Sequence, residues 1–197
     1  MELHTPITEA VRRSLKVGQL VEITGEIYSA RDAAHKRMAE TLKAGGQAPI
    51  PFEGNIVYYT GPTPPREGAA LGSAGPTTSM RMDAFWEELL PFGLLTTLGK
   101  GGRGPALRSK MKGLGAVYFM AVGGTGAFLT QHIKKAEVVA YEDLGTEAIR
   151  RLTVEKLPVI VCVDAEGHDL LEEGKAKWRR TPAAAIGAST ANGGGGA

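Results

Sequence analysis

The sequence predicts an α/β fold in which strands alternate with helices. Two runs of β-branched and aromatic residues, AVYFMAV at 116–122 and PVIVCV at 158–163, have the composition of buried strands. A run dense in helix formers, RDAAHKRMAETLK at 31–43, has the composition of a helix. Because such alternation is typical of parallel strands joined by helices, we expect several parallel crossovers.

In the first third of the chain the order is helix, strand, helix, strand. A threonine that can cap a helix opens the short helical run at 8–15, and β-forming residues predict a strand at 19–28. The helix at 31–43 ends at a glycine pair, and NIVYYT predicts a strand at 55–60 that ends at Gly-Pro. The acidic residues in strand 19–28 suggest that this strand belongs to a second, smaller and partly exposed sheet.

The alternation continues beyond a loop rich in proline and glycine that runs to Gly75. Segments rich in helix formers alternate with segments rich in strand formers, and a second glycine-rich loop lies at 99–104. In order, we predict a helix at 77–90, a strand at 94–98, a helix at 106–112, a strand at 116–122, a helix at 127–134, and strands at 137–141 and 158–163.

The chain divides into one domain and a tail. After Thr181 the sequence consists of Ala, Gly, Ser, Thr, Asn, one Pro and one Ile, and it ends in Gly-Gly-Gly-Gly-Ala. Such a segment has too little apolar surface to offset the entropy lost on ordering. We therefore expect a folded domain at residues 1–180 and a disordered tail at 181–197.

Composition argues against several classes of protein. A net charge of +2 is too weak to indicate a nucleic-acid partner. The uncharged run at 113–133 has Gly-Gly-Thr-Gly at its centre, which favours a strand, a turn and a helix over a membrane span. The first residues do not resemble a secretory leader, so we expect a cytoplasmic protein. A single cysteine, Cys162, excludes a cysteine-ligated metal site built by this chain alone, and its apolar strand indicates an inert thiol.

The motif GSAGPTTSMRMD at 72–83 is the first candidate for chemistry. If the helix begins near Pro76, free backbone N–H groups and the hydroxyls of Thr77 and Thr78 form a site for an anion. Arg81 lies four residues after Thr77, so we predict both on one helical face, directed at the same carboxylate or phosphate. The alternative interpretation is a capped helix with a solvated arginine.

Three further motifs lie where strands meet helices or loops. In ARDAAH, Arg31 begins a helix, where the dipole disfavours a cation, so it needs an acidic partner such as Asp32 or a ligand anion. His35 is expected to be a packed helix residue. In LGKGGRG, Lys100 is a mobile cation in a glycine loop or a flexible turn. VGGTGA at 122–127 has only a superficial likeness to a dinucleotide-binding turn, because its spacing does not fit G-x-G-x-x-G.

These stretches together resemble the β subunit of the two-subunit class I fumarase and L-tartrate dehydratase family. The members are iron–sulfur hydro-lyases, and the single-chain members carry this region as a C-terminal domain. The matching stretches cover nearly all of residues 5–172, and ARDAAH with GPTTSxRMD is the most specific part. They are LKVGQLVEITGEIYSARDAAHKR, GNIVYYTGPTP, GSAGPTTSMRMD, LGKG, VYFMAVGGTGAFL and PVIVCVDAEGHDL. The turn GGTGAFL departs mildly from the usual GGAAAL-like sequence.

The resemblance implies a swivelling β/β/α three-layer domain with one mostly parallel sheet. It also implies an α2β2 assembly whose α subunit holds a [4Fe–4S] cluster through three cysteines, and reversible hydration of a C4 dicarboxylate, either fumarate to malate or tartrate to oxaloacetate. By the same resemblance, Arg31 and Arg81 bind carboxylates, Thr77 takes part in proton transfer, and Lys100 reaches the substrate. The alternatives are a non-catalytic module that binds a small carboxylate and, less favoured, a nucleotide-binding domain.

Overall fold

The computed structural model describes residues 1–179, which form seven strands and six α-helices. The strands are β1 (Glu2–His4), β2 (Leu20–Ser29), β3 (Val57–Tyr58), β4 (Thr96–Gly99), β5 (Val117–Met120), β6 (Ile133–Ala140) and β7 (Ile149–Val163). The helices are α1 (Glu9–Ser14), α2 (Asp32–Lys43), α3 (Asp83–Leu89), α4 (Pro105–Leu114), α5 (Gly126–Thr130) and α6 (Leu170–Trp178), and 3-10 segments cover Ser79–Met82, Leu90–Phe92 and Glu142–Glu147.

Two predictions from the sequence concern a membrane span and the C-terminal tail. The longest of the helices in residues 1–179 has 12 residues, and none of them can cross a membrane. The predicted tail at 181–197 lies outside the described residues.

All seven strands belong to one mixed sheet, in the order β1-β2-β3-β4-β5-β7-β6. Strands β1 to β5 pair in parallel, whereas β7 is antiparallel to β2, β5 and β6. Since β2 pairs with both β3 and β7, the strands β2, β3, β4, β5 and β7 form a closed ring. The α/β prediction with parallel crossovers is confirmed.

The prediction that strand 19–28 belongs to a second, smaller sheet is wrong for the described residues. Strand β7 begins at Ile149 instead of residue 158 and joins β2 to the rest of the sheet. Its first half escapes sequence analysis because Glu155 and Lys156 form a bulge opposite Thr24, which interrupts the two-residue alternation. The long β7 also makes the sheet mixed, whereas the sequence led us to expect a mostly parallel one.

Two hydrophobic cores lie on opposite faces of this sheet. Along β3, Ile56 and Tyr58 point into a core inside the ring, whereas Val57 and Tyr59 point into a core covered by α2, α3 and α4. This is the two-residue alternation of a strand buried on both faces. Trp86 of α3 is fully buried in the second core and donates from its indole N–H to the Leu94 carbonyl at 2.7 Å.

The remaining elements differ from prediction mainly at their ends. The helix predicted at 31–43 is present as α2, and Thr8 caps α1 through its side chain, which accepts from the Val11 N–H at 3.3 Å. The helix predicted at 127–134 is only the five residues of α5, because the chain enters β6 at Ile133 to pair with β7. Strand β1 was not predicted, since three residues are too few to show a pattern.

Candidate functional site

The candidate residues lie near the ends of the parallel strands. Arg31 follows β2, Lys100 follows β4, and the glycine turn at 122–126 follows β5. Because β2 to β5 are parallel, their carboxyl ends meet at one edge of the sheet. The topology therefore brings together motifs that are far apart in the sequence.

The segment with Thr77 and Thr78 is extended and pairs with the neighbouring backbone. The Thr77 N–H donates to the Tyr59 carbonyl at 2.6 Å, and the Lys100 N–H donates to the Thr77 carbonyl at 3.0 Å. Thr78 forms a parallel bridge with Lys100, and the Ser79 N–H donates to the Lys100 carbonyl at 2.9 Å. The close approach requires Gly99, since a Cβ there would overlap the Ser79 hydroxyl.

This geometry corrects the helix predicted at 77–90. A 3-10 segment begins at Ser79 and α3 begins only at Asp83, so Pro76 does not occupy a first helical turn and Thr77 does not share a helical face with Arg81. The physical reason is that the Thr77 N–H and C=O are used in pairing with the edge of the sheet. The predicted anion site at a helix N-terminus is therefore absent here. Thr77 is nonetheless buried and adjacent to Lys100, whereas Thr78 is exposed.

The two candidate arginines meet at one carboxylate, that of Asp32. Arg81 Nη2 lies 2.8 Å from Asp32 Oδ1, and Arg31 Nε lies 3.1 Å from Asp32 Oδ2. The Arg31 side chain is 26% exposed and the Arg81 side chain is 53% exposed, so both can be reached from solvent. The acidic partner expected for Arg31 is confirmed, and the site holds two guanidinium groups within reach of a single carboxylate.

Sequence analysis missed one member of this cluster, Glu147. Its Oε1 lies 3.4 Å from Arg31 Nε, and its Oε2 accepts from the Ala33 N–H at 2.7 Å in the first turn of α2. A carboxylate at a helix N-terminus is favourable, and it also offsets the cation at the N-cap. No local signal could have found Glu147, because 114 residues separate it from Ala33.

Arg150 holds the 3-10 segment that carries Glu147. Its guanidinium donates to the carbonyls of Gly145, Thr146 and Ala148 at 2.8–3.2 Å. Burial lowers the pKa of Arg150, but an arginine stays charged at neutral pH.

Lys100 lies between the Thr77 segment and the glycine turn after β5. A Cβ on Gly123 would lie 3.4 Å from Lys100 Cδ, so this turn borders the lysine side chain. A Cβ on Gly126 would lie 2.9 Å from the Gly75 nitrogen. The glycine at 126 thus lets the turn pack against the loop that precedes Thr77, which accounts for the glycine without a nucleotide.

Comparison with known proteins then decides the family. Residues 1–174 match the family model described as Fumarase C-terminus. The chain belongs to this family. It is 34% identical over 177 residues to a protein of Methanocaldococcus jannaschii described as a putative L(+)-tartrate dehydratase subunit beta, covering 87% of this chain and 91% of that protein.

Longer proteins contain the same domain. The chain is 37% identical to fumarate hydratase 1, mitochondrial, of Leishmania major and 34% identical to the aerobic class I fumarate hydratase of Escherichia coli K12. Each match covers 88% of this chain and 32% of the relative. The chain therefore spans about a third of the length of these fumarate hydratases.

This fumarase C-terminal domain offers no ligand set for a metal cluster among residues 1–179. That part of the chain contains no group of three or more His, Cys, Asp or Glu side chains arranged to hold a metal ion. Cys162 is buried, and burial raises the pKa of its thiol to about 12, so the thiol is protonated and inert at neutral pH. The residues of the domain thus do not fit an iron–sulfur cluster.

His35 of the domain is a packed helix residue, as predicted. It is fully buried and packs edge-on against Tyr59 at 5.0 Å, and its Nδ1 lies 3.1 Å from the Arg31 carbonyl oxygen. Burial lowers the pKa of His35 to about 4, so the imidazole is neutral at pH 7. It supports the backbone of Arg31 at the start of α2 without adding charge to the site.

Proposed function

We propose that this chain is the β subunit of a hydro-lyase that reversibly adds water to a C4 dicarboxylate. The observation that carries the proposal is the convergence of Arg31 and Arg81 on the carboxylate of Asp32, at the same edge of the sheet as Lys100, with which Thr77 pairs. Family membership supports it, since relatives are described as fumarate hydratases and as a tartrate dehydratase subunit beta. Fumarate with malate, or tartrate with oxaloacetate, are the substrate pairs.

Arg31 and Arg81 supply the carboxylate recognition in this proposal. A guanidinium donates through parallel N–H groups and matches a carboxylate bidentately. Asp32 and Glu147 hold the Arg31 guanidinium in place before substrate arrives, which reduces the ordering entropy of binding. A substrate carboxylate would displace Asp32 from Arg81, whose side chain is half exposed and so can be reached from solvent.

Thr77 and Lys100 act on the reacting end of the substrate. The Thr77 hydroxyl would transfer a proton to the carbon next to the hydroxyl-bearing carbon on hydration, and remove it on dehydration. Lys100 would stabilise the negative charge that develops on the substrate. Thr78 lies beside Lys100 through the backbone bridge and binds substrate through its exposed hydroxyl. Thr77 itself is only 9% exposed.

The chain requires a partner in this proposal. Class I fumarases and tartrate dehydratases depend on iron and sulfur, and the residues described here do not fit a cluster, so we assign the [4Fe–4S] cluster to an α subunit. The name of the M. jannaschii relative, a subunit beta, supports such a partner. We also propose an α2β2 assembly and a cytoplasmic location.

The packing of the domain is one argument that it moves as a unit relative to its partner. The strands close into a ring around one core, and α2, α3 and α4 cover a second core on the outer face of the sheet. This packing supports the proposal of a swivelling β/β/α domain. We include this swivelling motion relative to the α subunit in the proposal. A domain that carries the carboxylate-binding arginines and moves in this way would close the site on its substrate.

Reconstitution tests the proposal. The chain is co-expressed with a cysteine-bearing α subunit of the same enzyme family, purified without oxygen, and assayed with fumarate, L-tartrate and D-tartrate. A brown, oxygen-sensitive complex that hydrates fumarate or dehydrates one tartrate is expected. A colourless chain that binds dicarboxylates but never gains activity would instead support the non-catalytic carboxylate-binding module, which the Asp32-centred arginine pair of the chain alone also allows.

A further inference from the structure

A buried arginine that the proposed chemistry does not use, Arg103, lies beneath the candidate site. Its Nη1 donates to the Ser79 carbonyl at 2.9 Å and to Asp83 Oδ1 at 2.6 Å. Its Nη2 donates to the Tyr59 hydroxyl at 2.6 Å and to the Thr97 hydroxyl at 2.8 Å. One planar guanidinium therefore bonds to four groups that come from three separate stretches of the chain.

The surroundings of Arg103 confine it to this position. Its side chain is 0% exposed, and the guanidinium carbon lies 4.2 Å from the centre of the Trp86 ring, 4.6 Å from that of Tyr118 and 4.9 Å from that of Tyr59. Aromatic faces attract a cation, and Asp83 balances the buried charge. Both Nη atoms are used in these bonds and the side chain is fully buried, so Arg103 cannot itself contact substrate.

Its bonds join the two segments that carry the candidate residues. Arg103 belongs to the same loop as Lys100, three residues later, while Ser79 and Asp83 flank Arg81. Asp83 also accepts from the Gly104 N–H at 2.7 Å, through its other carboxylate oxygen. The carboxylate thus holds both Arg103 and the next residue against the start of α3.

A second connection lies beside the first. The Tyr118 hydroxyl donates to the Gly101 carbonyl and accepts from the Ser79 hydroxyl, both at 2.8 Å. With the backbone bridge between Thr78 and Lys100, the loop at 99–104 is therefore attached to residues 77–83 at several points: at Lys100, at Arg103, at Gly104 and, through Tyr118, at Gly101. We therefore expect a displacement of this loop to displace the Thr77 segment as well.

We propose that Arg103 is a positioning residue that sets the placement of Lys100 relative to Thr77 and Arg81. This inference rests on the proposed function for its effect on turnover, but its structural part does not. Lysine would keep the positive charge but has a single ammonium group, which cannot bond to four acceptors spread over the plane of a guanidinium. Arg103→Lys therefore removes the positioning and leaves the charge.

The experiment compares Arg103→Lys with Arg12→Lys. Arg12 is a second buried arginine, whose Nε donates to the Gly115 carbonyl at 2.8 Å, away from the candidate residues. Native-state amide exchange is measured at Ser79 and Lys100, with the Tyr28 amide of β2, which donates to the Ile56 carbonyl at 2.9 Å, as an internal reference. We expect Arg103→Lys to speed exchange at Ser79 and Lys100 about tenfold relative to Tyr28, and Arg12→Lys to leave that ratio unchanged.

The reconstituted complex supplies the second measurement. We expect Arg103→Lys to lower kcat about tenfold with a smaller change in KM, because misplaced groups act mainly in the transition state. Unchanged exchange at Ser79 and Lys100, or a kcat equal to that of Arg12→Lys at matched thermal stability, would overturn the inference. If the wild-type complex is inactive with every dicarboxylate, the proposed function fails, and amide exchange still decides whether Arg103 holds the loop.

Tyr59→Phe provides the test if Arg103→Lys does not fold. This change keeps the aromatic ring and deletes only the hydroxyl that accepts from Arg103. We expect the same local increase in exchange at Ser79 and Lys100, about threefold, since one of the four bonds is lost. Exchange equal to wild type at both amides would contradict the role of the Arg103 network.

Discussion

Replacing Glu147 by glutamine removes one negative charge from the N-terminus of α2 and changes little else. The Glu147 carboxylate accepts from the Ala33 N–H at 2.7 Å and lies 3.4 Å from Arg31 Nε, and it is about a quarter exposed. Glutamine has the same size and keeps one acceptor oxygen. The variant therefore isolates the charge of Glu147 from its packing.

The expected magnitude follows from these two contacts. A carboxylate at a helix N-terminus contributes about 0.3–1 kcal/mol, and a partly exposed ion pair contributes about 0.2–1 kcal/mol. The free energy of unfolding should fall by about 0.5–2 kcal/mol, which lowers the Tm of a domain of this size by about 1–8 °C. The affinity for dicarboxylates should fall as well, because Arg31 loses one of the two carboxylates that orient it.

Scanning calorimetry at pH 7 measures the change in Tm, with Glu142→Gln as the matched control. Glu142 lies in the same 3-10 segment and is exposed, so its replacement should change the free energy of unfolding by less than about 0.5 kcal/mol. Equal Tm values for the two variants would refute the role assigned to Glu147. A low-salt titration with malate or tartrate then checks the loss of affinity.

Three further predictions concern single side chains. Arg81→Lys should raise the KM for the dicarboxylate about tenfold or more, because the bidentate donor pair is lost, and unchanged steady-state kinetics of the reconstituted complex would contradict the clamp. Thr77→Ala should reduce kcat by about 10²–10⁴-fold with the Tm of a folded protein, whereas near-normal turnover would exclude proton transfer by its hydroxyl. The pKa of His35 is about 4 in the folded protein and about 6.5 in the unfolded chain. The contribution of the neutral imidazole to stability is therefore complete above about pH 6.5. It is lost as the pH falls towards 4, by up to about 3 kcal/mol. Denaturant titrations from pH 7 to 4 should show this loss in the wild type and not in His35→Gln, and parallel curves would contradict it.

The predictions from the sequence and the structure agree best where a local pattern is enough to define a helix or a strand. Helix α2 has a dense run of helix formers and a glycine stop, and it occupies the predicted residues to within one. The buried strand at 116–122 appears as β5. An acidic partner of Arg31 could also be predicted, because a cation at the start of a helix is unfavourable on its own.

Disagreement arises where contacts distant in the sequence override local preference. Residues 77–83 have the signature of a capped helix, yet the backbone of Thr77 pairs with Tyr59 and Lys100, and the helix starts later. The early part of β7 is hidden by a bulge, and the partner of the α2 N-terminus, Glu147, lies more than a hundred residues away. Such contacts depend on which strands become neighbours, and no window of sequence contains that information.

By itself, the sequence determined that this protein alternates strands and helices, that its one cysteine cannot hold a cluster, and that two arginines, a threonine and a lysine lie in motifs resembling those of a fumarase β subunit. The tertiary structure decided how these groups meet. Parallel strands end at one edge and bring Arg31 and Lys100 to the same side, while Asp32 joins the two arginines and Arg103 anchors the loop of Lys100. The physical reason is that the pairing of a sheet and the burial of a charge are properties of the whole chain, whereas capping and periodicity belong to a few residues.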